Sequence, residues 1–296
     1  MTATVLAAAA ALVVPAAASA TPVPVCGGWT SSVLRSGMGT LENLAFDGAG
    51  AVYVSKQNAV TGRGQVLRGR SPATLASLAD LPNPGGLVIR DGRVFVTTAN
   101  SAPSGLFGAT DGTVAELDPG TASVRTWAAG LTMPNGLAAL PDGRFVTSTV
   151  LGPKQGTVVS ARGGVPTSFA LRGESVNGLW FDGASGRLWA STATSAQTGL
   201  YAIDPARPAA PRRYAVPGLG PANFADDLTV GPDGAVYATL DLPGKVVRLD
   251  PETGALCTID AGHRGVTSVR FGRGTGWDPR SLYATTLGGK LLRLTP

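Results

Sequence analysis

Along most of the chain a polar residue opens a short apolar run, a turn rich in Gly, Pro and Asp follows, and a second β-prone run returns. The stretch Met133 to Thr149, MPNGLAALPDGRFVTST, shows the unit most plainly, with Leu137 to Leu140 and Phe145 to Thr149 on either side of Pro141-Asp142-Gly143. β-branched and aromatic runs on both sides of such a turn predict a β-hairpin. The same unit returns as LENLAFDGAGAVYVS (Leu41 to Ser55), GGLVIRDGRVFVTT (Gly85 to Thr98), VNGLWFDGASGRLWAST (Val176 to Thr192), DDLTVGPDGAVYATL (Asp226 to Leu240) and TSVRFGRGTGWDPRSLYATT (Thr267 to Thr286).

Aligning the six copies on Leu44, Leu87, Leu137, Leu179, Leu228 and Val269 puts Glu42, Gly85, Asn135, Asn177, Asp226 and Thr267 in one column, at steps of 43, 50, 42, 49 and 41 residues. Repeats of that period that cannot bury their own faces stack radially. The expected fold is all-β: a six-bladed β-propeller of four-stranded antiparallel blades. The last copy runs out of chain after three strands, Thr267 to Phe271, Ser281 to Thr286 and Lys290 to Leu294. The β-prone segment Thr30 to Leu34 is therefore expected to close the ring as the outer strand of the last blade, leaving no open edge.

In a propeller the column residues stand at equal height around the central channel. Inner strands lead away from the face where they begin, so the loops joining second to third strands share that face. The longest of these loops, Ala99 to Asp111, is rich in small residues and is expected to act as a flexible lid.

Composition refines the picture in three places. Residues 1–20 carry no charged side chain, contain the apolar run Val5 to Val14 and end in Ala18-Ser19-Ala20, the pattern of a signal peptide cleaved before Thr21. The run is too short for a membrane anchor. The expected organisation is thus a signal peptide over 1–20 and one propeller domain over 21–296, secreted, monomeric and without a membrane segment once processed. The net charge of +5 is scattered, with no basic helix and no stacking aromatics, which argues against a nucleic-acid partner. Cys26 and Cys257 have no metal-ligand spacing, and export would oxidise them; a disulfide is expected, the alternative being two unpaired thiols.

Nucleophile signatures such as G-x-S-x-G and HExxH are absent, and His263 is the single histidine. That argues against a Ser-His-Asp hydrolase, and His263 stands as a secondary candidate in the segment entering the last blade. The column offers oxygen donors alone, two carboxylates and two amides from Glu42, Asn135, Asn177 and Asp226. Such a set suits a hard divalent cation. The bland alternative is that Asn and Asp here satisfy backbone amides at strand starts. It is weakest for Glu42, because a channel carboxylate without a cation is costly.

Taken in order, these motifs resemble the regucalcin (senescence marker protein)/gluconolactonase/luciferin-regenerating-enzyme-like family of six-bladed propellers. The resemblance spans nearly the whole mature chain and includes VVRLDPETG (Val246 to Gly254) and TSVRFG (Thr267 to Gly272). It implies Glu42, Asn177 and Asp226 as ligands of one divalent cation, Ca²⁺ first with Mg²⁺, Mn²⁺ or Zn²⁺ as alternatives, and Asn135 as a substrate-binding residue. Three positions depart from the family pattern: Glu42-Asn43-Leu44 stands for Glu-Gly-Pro, Met133 for an Arg, and Asp227 for a Gly. Loss of that Arg weakens the likeness to a sugar-lactone site.

The implied activity is hydrolysis of a lactone or related ester, the cation polarising the carbonyl and acidifying a water, with Asp226 as general base and Asp227 a secondary candidate. The alternative is a non-catalytic secreted propeller that binds a small ligand over a structural cation. A strictosidine-synthase-like or lyase propeller shares the fold and fits the column less well.

Overall fold

A computed structural model describes residues 23–58 and 61–296. The expected signal segment, 1–20, lies outside the described residues. Six four-stranded antiparallel sheets form the ring. Their inner strands are Thr40–Phe46, Leu87–Arg90, Pro134–Ala139, Val176–Asp182, Ala225–Val230 and Val266–Phe271.

Each inner strand pairs with the strand after its turn in the register the repeat predicts: Leu44 faces Val54, Leu87 faces Val96, Leu137 faces Thr147, Leu179 faces Ala190, Leu228 faces Ala238 and Val269 faces Ala284. The six sequence copies are therefore six equivalent places in space.

The apolar core lies between blades. Leu41, Leu44 and Val54 of blade one pack on Trp277, Tyr283 and Leu291 of blade six, and Leu81 of blade one packs with Leu87, Val96 and Leu117 of blade two. Four further clusters fill the remaining seams. A blade buried on both faces explains why its strands read as apolar runs rather than as a strict alternation. Removing one blade would expose two seams.

The ring closes as expected. Thr30–Arg35 forms the outer strand of blade six by pairing with Leu291–Thr295, Thr30 opposite Thr295. Just before it, the chain hydrogen-bonds to the outer strand of blade five, Cys26 N–H to Thr258 O at 2.8 Å and Thr258 N–H to Pro24 O at 2.7 Å. There Cys26 and Cys257 form a disulfide, with Cα atoms 5.3 Å apart. One arm thus ties blade five and completes blade six. A bond spanning 231 residues restricts the unfolded chain by roughly 5 kcal/mol on loop-closure entropy.

The blade-two loop holds the helix Ala102–Phe107, capped by Ser101 and ended by left-handed Gly108. A side chain on Gly105 would strike Met133 and Leu151 of blade three, so the glycine allows the helix to settle against its neighbour. Among the described residues, no helix is long and apolar enough to cross a membrane.

Candidate functional site

The column residues are aimed by a repeated defect. Five of the six inner strands break register at this level: between Leu41 and Asn43, Pro134 and Leu137, Val176 and Leu179, Ala225 and Leu228, and Val266 and Ser268. A bulge leaves one residue out of the ladder and redirects its side chain. Glu42, Asn135, Asn177 and Asp226 all line one cavity of about 300 Å³ at the mouth of the channel. The asparagine is followed by Gly136 in blade three and Gly178 in blade four, where a β-carbon would collide with the backbone of Asn177 and Asp226 respectively. The Asn-Gly pair thus does two jobs: a polar group faces the channel, and its neighbour lets the next inner strand come close.

Hydroxyls on the second strands lock the column in place. Thr97 Oγ1 donates to Asn135 O at 2.9 Å, Ser148 Oγ to Asn177 O, Ser191 Oγ to Asp226 O, and Thr239 Oγ1 to Thr267 O at 3.0 Å. Each bond runs from one blade to the column backbone of the next, so the ring of site residues is held by its neighbours' side chains.

The mouth is acidic and lacks compensation. Glu42, Asp226 and a third carboxylate, Asp241, are each less than a tenth exposed, and among the described residues none forms an ion pair. Burial, and then the charge of Asp241, push Glu42 up to about 7, against hydrogen bonds from Asn100 and Asn135 that pull it down. Burial, then the charges of Glu42 and Asp241, hold Asp226 well above the usual carboxylate range. Burial lifts Asp241 to about 6. Removing carboxylates from water without a partner disfavours their charged form.

The same place gathers oxygens with nothing to accept from. Asn177 donates Nδ2 to Ala225 O at 3.3 Å, which leaves its Oδ1 free, and that atom is buried without a partner. Asn83 Oδ1, Asn100 Oδ1 and Asp241 Oδ1 share this condition, while Asn100 donates Nδ2 to Glu42 Oε1 at 3.1 Å. Buried polar atoms are seldom left unpaired, and each such atom asks for an explanation.

Two further rings complete the mouth, and sequence reading missed most of both. Two residues before the column stand Asn83, Met133 and Phe224, all left-handed at φ 34, 41 and 45°, and all lining the cavity. For a residue with a β-carbon this conformation costs on the order of 1 kcal/mol. At the first or second positions of the second-to-third strand loops stand Asn100, Val150, Asp241 and Leu287. The backbone joins these rings, Asn100 N–H to Asn83 O at 3.1 Å and Asp241 N–H to Phe224 O at 3.1 Å. Asp241 could have been found by carrying the repeat alignment through the second strand.

The two secondary candidates lie elsewhere. Asp227 is buried beneath the mouth, where Oδ2 is ion-paired to Arg270 Nη1 at 2.6 Å and accepts from Asn43 Nδ2 at 2.8 Å and from Ser268 Oγ. His263 sits at the outer seam of blades five and six, its Nε2 3.1 Å from Ser31 Oγ and 3.6 Å from Asp260 Oδ2. Both neighbours approach the same ring nitrogen. A catalytic triad needs them on opposite nitrogens, so the contact is no relay.

Glu42, Asp226 and Asn177 could hold a cation, with Asp241 adding charge. Among the described residues no three His, Cys, Asp or Glu side chains converge closely enough to bind an ion by themselves; an amide oxygen would have to complete the set. Oxygen donors only, and a surplus of negative charge, fit Ca²⁺, Mg²⁺ or Mn²⁺ better than a soft ion.

No protein-family model and no curated protein sequence matches the chain. Several solved structures match its fold. A gluconolactonase of Xanthomonas campestris does so with a TM-score of 0.67 and 16% identity, over 96% of this chain and 99% of that one. The luciferin-regenerating enzyme gives 0.63 and 15%, over 91% and 96%, and virginiamycin B lyase from Staphylococcus aureus 0.62 and 11%, over 91% and 99%. At these identities the likeness extends to the fold; the site has to be argued from its own residues.

Proposed function

We propose that this protein is an exported hydrolase of a lactone or related ester that depends on a divalent cation at the channel mouth, held by Glu42, Asn177 and Asp226. One observation carries the reading: three buried carboxylates without a cationic partner share a cavity with buried amide oxygens that accept from nothing. A site of that kind is poorly stable as it stands and is completed by positive charge. The gluconolactonase and luciferin-regenerating enzyme among the structural neighbours support the choice of reaction class.

When bound, a divalent cation polarises a substrate carbonyl and acidifies water beside it. The chain's own residues supply the rest. Asp226 takes the proton from the attacking water, whose oxygen bonds to the carbonyl carbon; the ring C–O bond then breaks and the proton passes to the leaving oxygen. Asp241 lines the same cavity and is the carboxyl there outside the proposed ligand set. Asn135, partly exposed in the same cavity, positions the substrate. Export is supported by the pattern of residues 1–20 and by the disulfide.

Turnover of a panel of lactones and esters, with chelator and then with Ca²⁺, Mg²⁺, Mn²⁺ or Zn²⁺ added back, tests the reading. Hydrolysis abolished by chelator and restored by one of these ions is expected. If nothing is turned over with any ion while a small ligand still raises the melting temperature, the non-catalytic ligand-binding propeller replaces the enzyme. Mass analysis of the mature N-terminus tests export, with Thr21 as the expected first residue.

A further inference from the structure

The cavity is lined by the amides of Gln57, Asn83, Asn100, Asn135 and Asn177 and by apolar Met133, Val150, Leu151, Phe224 and Leu287. Four of the apolar residues form a continuous wall, in which Met133 and Val150 are buried with Ala193 and Leu151 and Phe224 pack against them. No lysine or arginine lines this cavity among the described residues. The chain itself therefore offers no positively charged side chain to an anionic substrate at this mouth.

Two members of that wall are held there at a cost. Met133 and Phe224 keep left-handed backbones, φ 41 and 45°, at equivalent places two residues before Asn135 and Asp226. Bulky side chains seldom adopt this conformation, and where it persists its surroundings impose it, most often at a site that uses it. Here the consequence is geometric: both side chains face the mouth. Phe224 also spends its backbone on the site, since its carbonyl accepts from Asp241 N–H at 3.1 Å.

Beyond the cavity the apolar surface goes on. Leu106 and Phe107 on the blade-two helix, Leu219 at the blade-four edge, Leu242 in the blade-five loop and Leu287 in the blade-six loop are all large, apolar and at least 41% exposed. The topology puts every one on the mouth face. The other large exposed hydrophobics are valines scattered elsewhere, Val25, Val33, Val124 and Val165. Every exposed leucine and phenylalanine that is large and apolar among the described residues thus lies on the face that holds the cavity.

We propose that the substrate is an ester or lactone with an alkyl or aryl body, its reacting carbonyl on the carboxylate side and its apolar part lying on Met133, Leu151, Phe224 and Leu287 and out over the rim. This rests on the hydrolase reading of the same mouth and narrows it away from polyhydroxylated lactones. At about 300 Å³ the cavity is at the small end for ligand sites, so it takes the ring and first carbons, and a longer tail crosses the rim. Met133 and Phe224 are the residues that set the preference.

The test uses δ-lactones with methyl, propyl, hexyl and nonyl substituents alongside glucono-δ-lactone, and the matching lactams as ligands that resist hydrolysis. kcat/KM is measured on the lactones and Kd by calorimetry on the lactams, with Ca²⁺ supplied. Each methylene that leaves water contributes up to about fourfold, so a gain of about tenfold or more from methyl to hexyl is expected in both series, with glucono-δ-lactone poorest. Phe224→Gly should remove most of that gain yet move the melting temperature by no more than about 3 °C, because glycine relieves the left-handed strain as packing is lost. Equal handling of methyl and hexyl compounds, or preference for glucono-δ-lactone, overturns the proposal. So does a large fall in melting temperature for Phe224→Gly with the chain-length gain intact, which would make Phe224 a packing residue. If no lactone is hydrolysed while lactam affinity still climbs with tail length, the hydrolase reading fails and the apolar-body preference stands.

Discussion

Asp226 and Asp227 are adjacent in the chain and both buried, and they occupy opposite chemical worlds. The bulge between Ala225 and Leu228 sends them to different levels of the channel. Asp227, in the lower layer, is answered by Arg270, which is itself 4% exposed, donates to Leu228 O and Val269 O, and lies 4.7 Å over the Trp180 ring. Asp226, in the mouth, is answered by nothing but other acids and amide oxygens. A buried acid with a hydrogen-bonded cation is part of the framework; one without is an invitation to a ligand. Charge compensation, rather than burial or residue type, separates scaffold from site in this channel.

The two layers should therefore break differently. Asp226→Asn should lower turnover by about 10³-fold or more, since it removes both the proposed base and a ligand charge. In chelator the same variant should melt no lower than wild type, because it also removes a repulsive charge. A melting temperature that drops sharply would put Asp226 in the framework with its neighbour.

Arg270→Met should do the reverse. Leaving Asp227 buried and unpaired costs about 3–5 kcal/mol, readable in denaturant unfolding, and pairing the change with Asp227→Leu should recover most of it. Cation affinity should survive in the double variant, whose mouth is intact.

The pH dependence of stability distinguishes the layers without mutation. Glu42 and Asp241 bind protons more tightly folded than unfolded, at about 7 against 4.5 and about 6 against 3.8. Their contribution is complete below the unfolded values and is lost as pH rises through the folded ones. Chelated protein should thus lose stability between about pH 4 and about pH 7, by about 3 kcal/mol for Glu42 alone at about 1.4 kcal/mol per unit. Excess Ca²⁺ should flatten the curve. A flat curve in chelator would mean that the mouth acids are compensated after all.

The smallest effect is expected at Asn135. Asn135→Ala should raise KM about tenfold and lower kcat less, as a residue that positions substrate does. Complete loss of turnover would move Asn135 into the cation's shell.

How far the sequence anticipated this follows from the same contrast. Repeat symmetry made the column legible, because Glu42, Asn135, Asn177 and Asp226 recur at one place in a hairpin pattern that period and turn chemistry specify. Ring closure and the disulfide were legible too, from a blade short of one strand and two cysteines beside the seam. The column ranked Asp226 above Asp227, but the role of Asp227 stayed hidden, since its partner Arg270 is 43 positions away and nothing local announces the bulge that parts the two acids. Asn83 and Phe224 escaped notice because a left-handed backbone is imposed by tertiary contacts and leaves no mark on residue type. His263 drew attention as the single histidine, and the seam of blades five and six holds it far from the channel chemistry. The helix of the blade-two loop went unread because a segment rich in small residues gives no apolar periodicity, although Ser101 and Gly108 cap it.

The central claim is that the uncompensated mouth binds one divalent cation, and calorimetric titration of chelator-stripped protein with Ca²⁺ tests it most directly, on wild type and on Glu42→Gln. One ion per chain in wild type, with affinity reduced at least about tenfold in the variant through loss of a ligand charge, is the predicted result. Absence of binding in wild type by Ca²⁺, Mg²⁺ and Mn²⁺ alike, or binding that Glu42→Gln leaves undiminished, would contradict it.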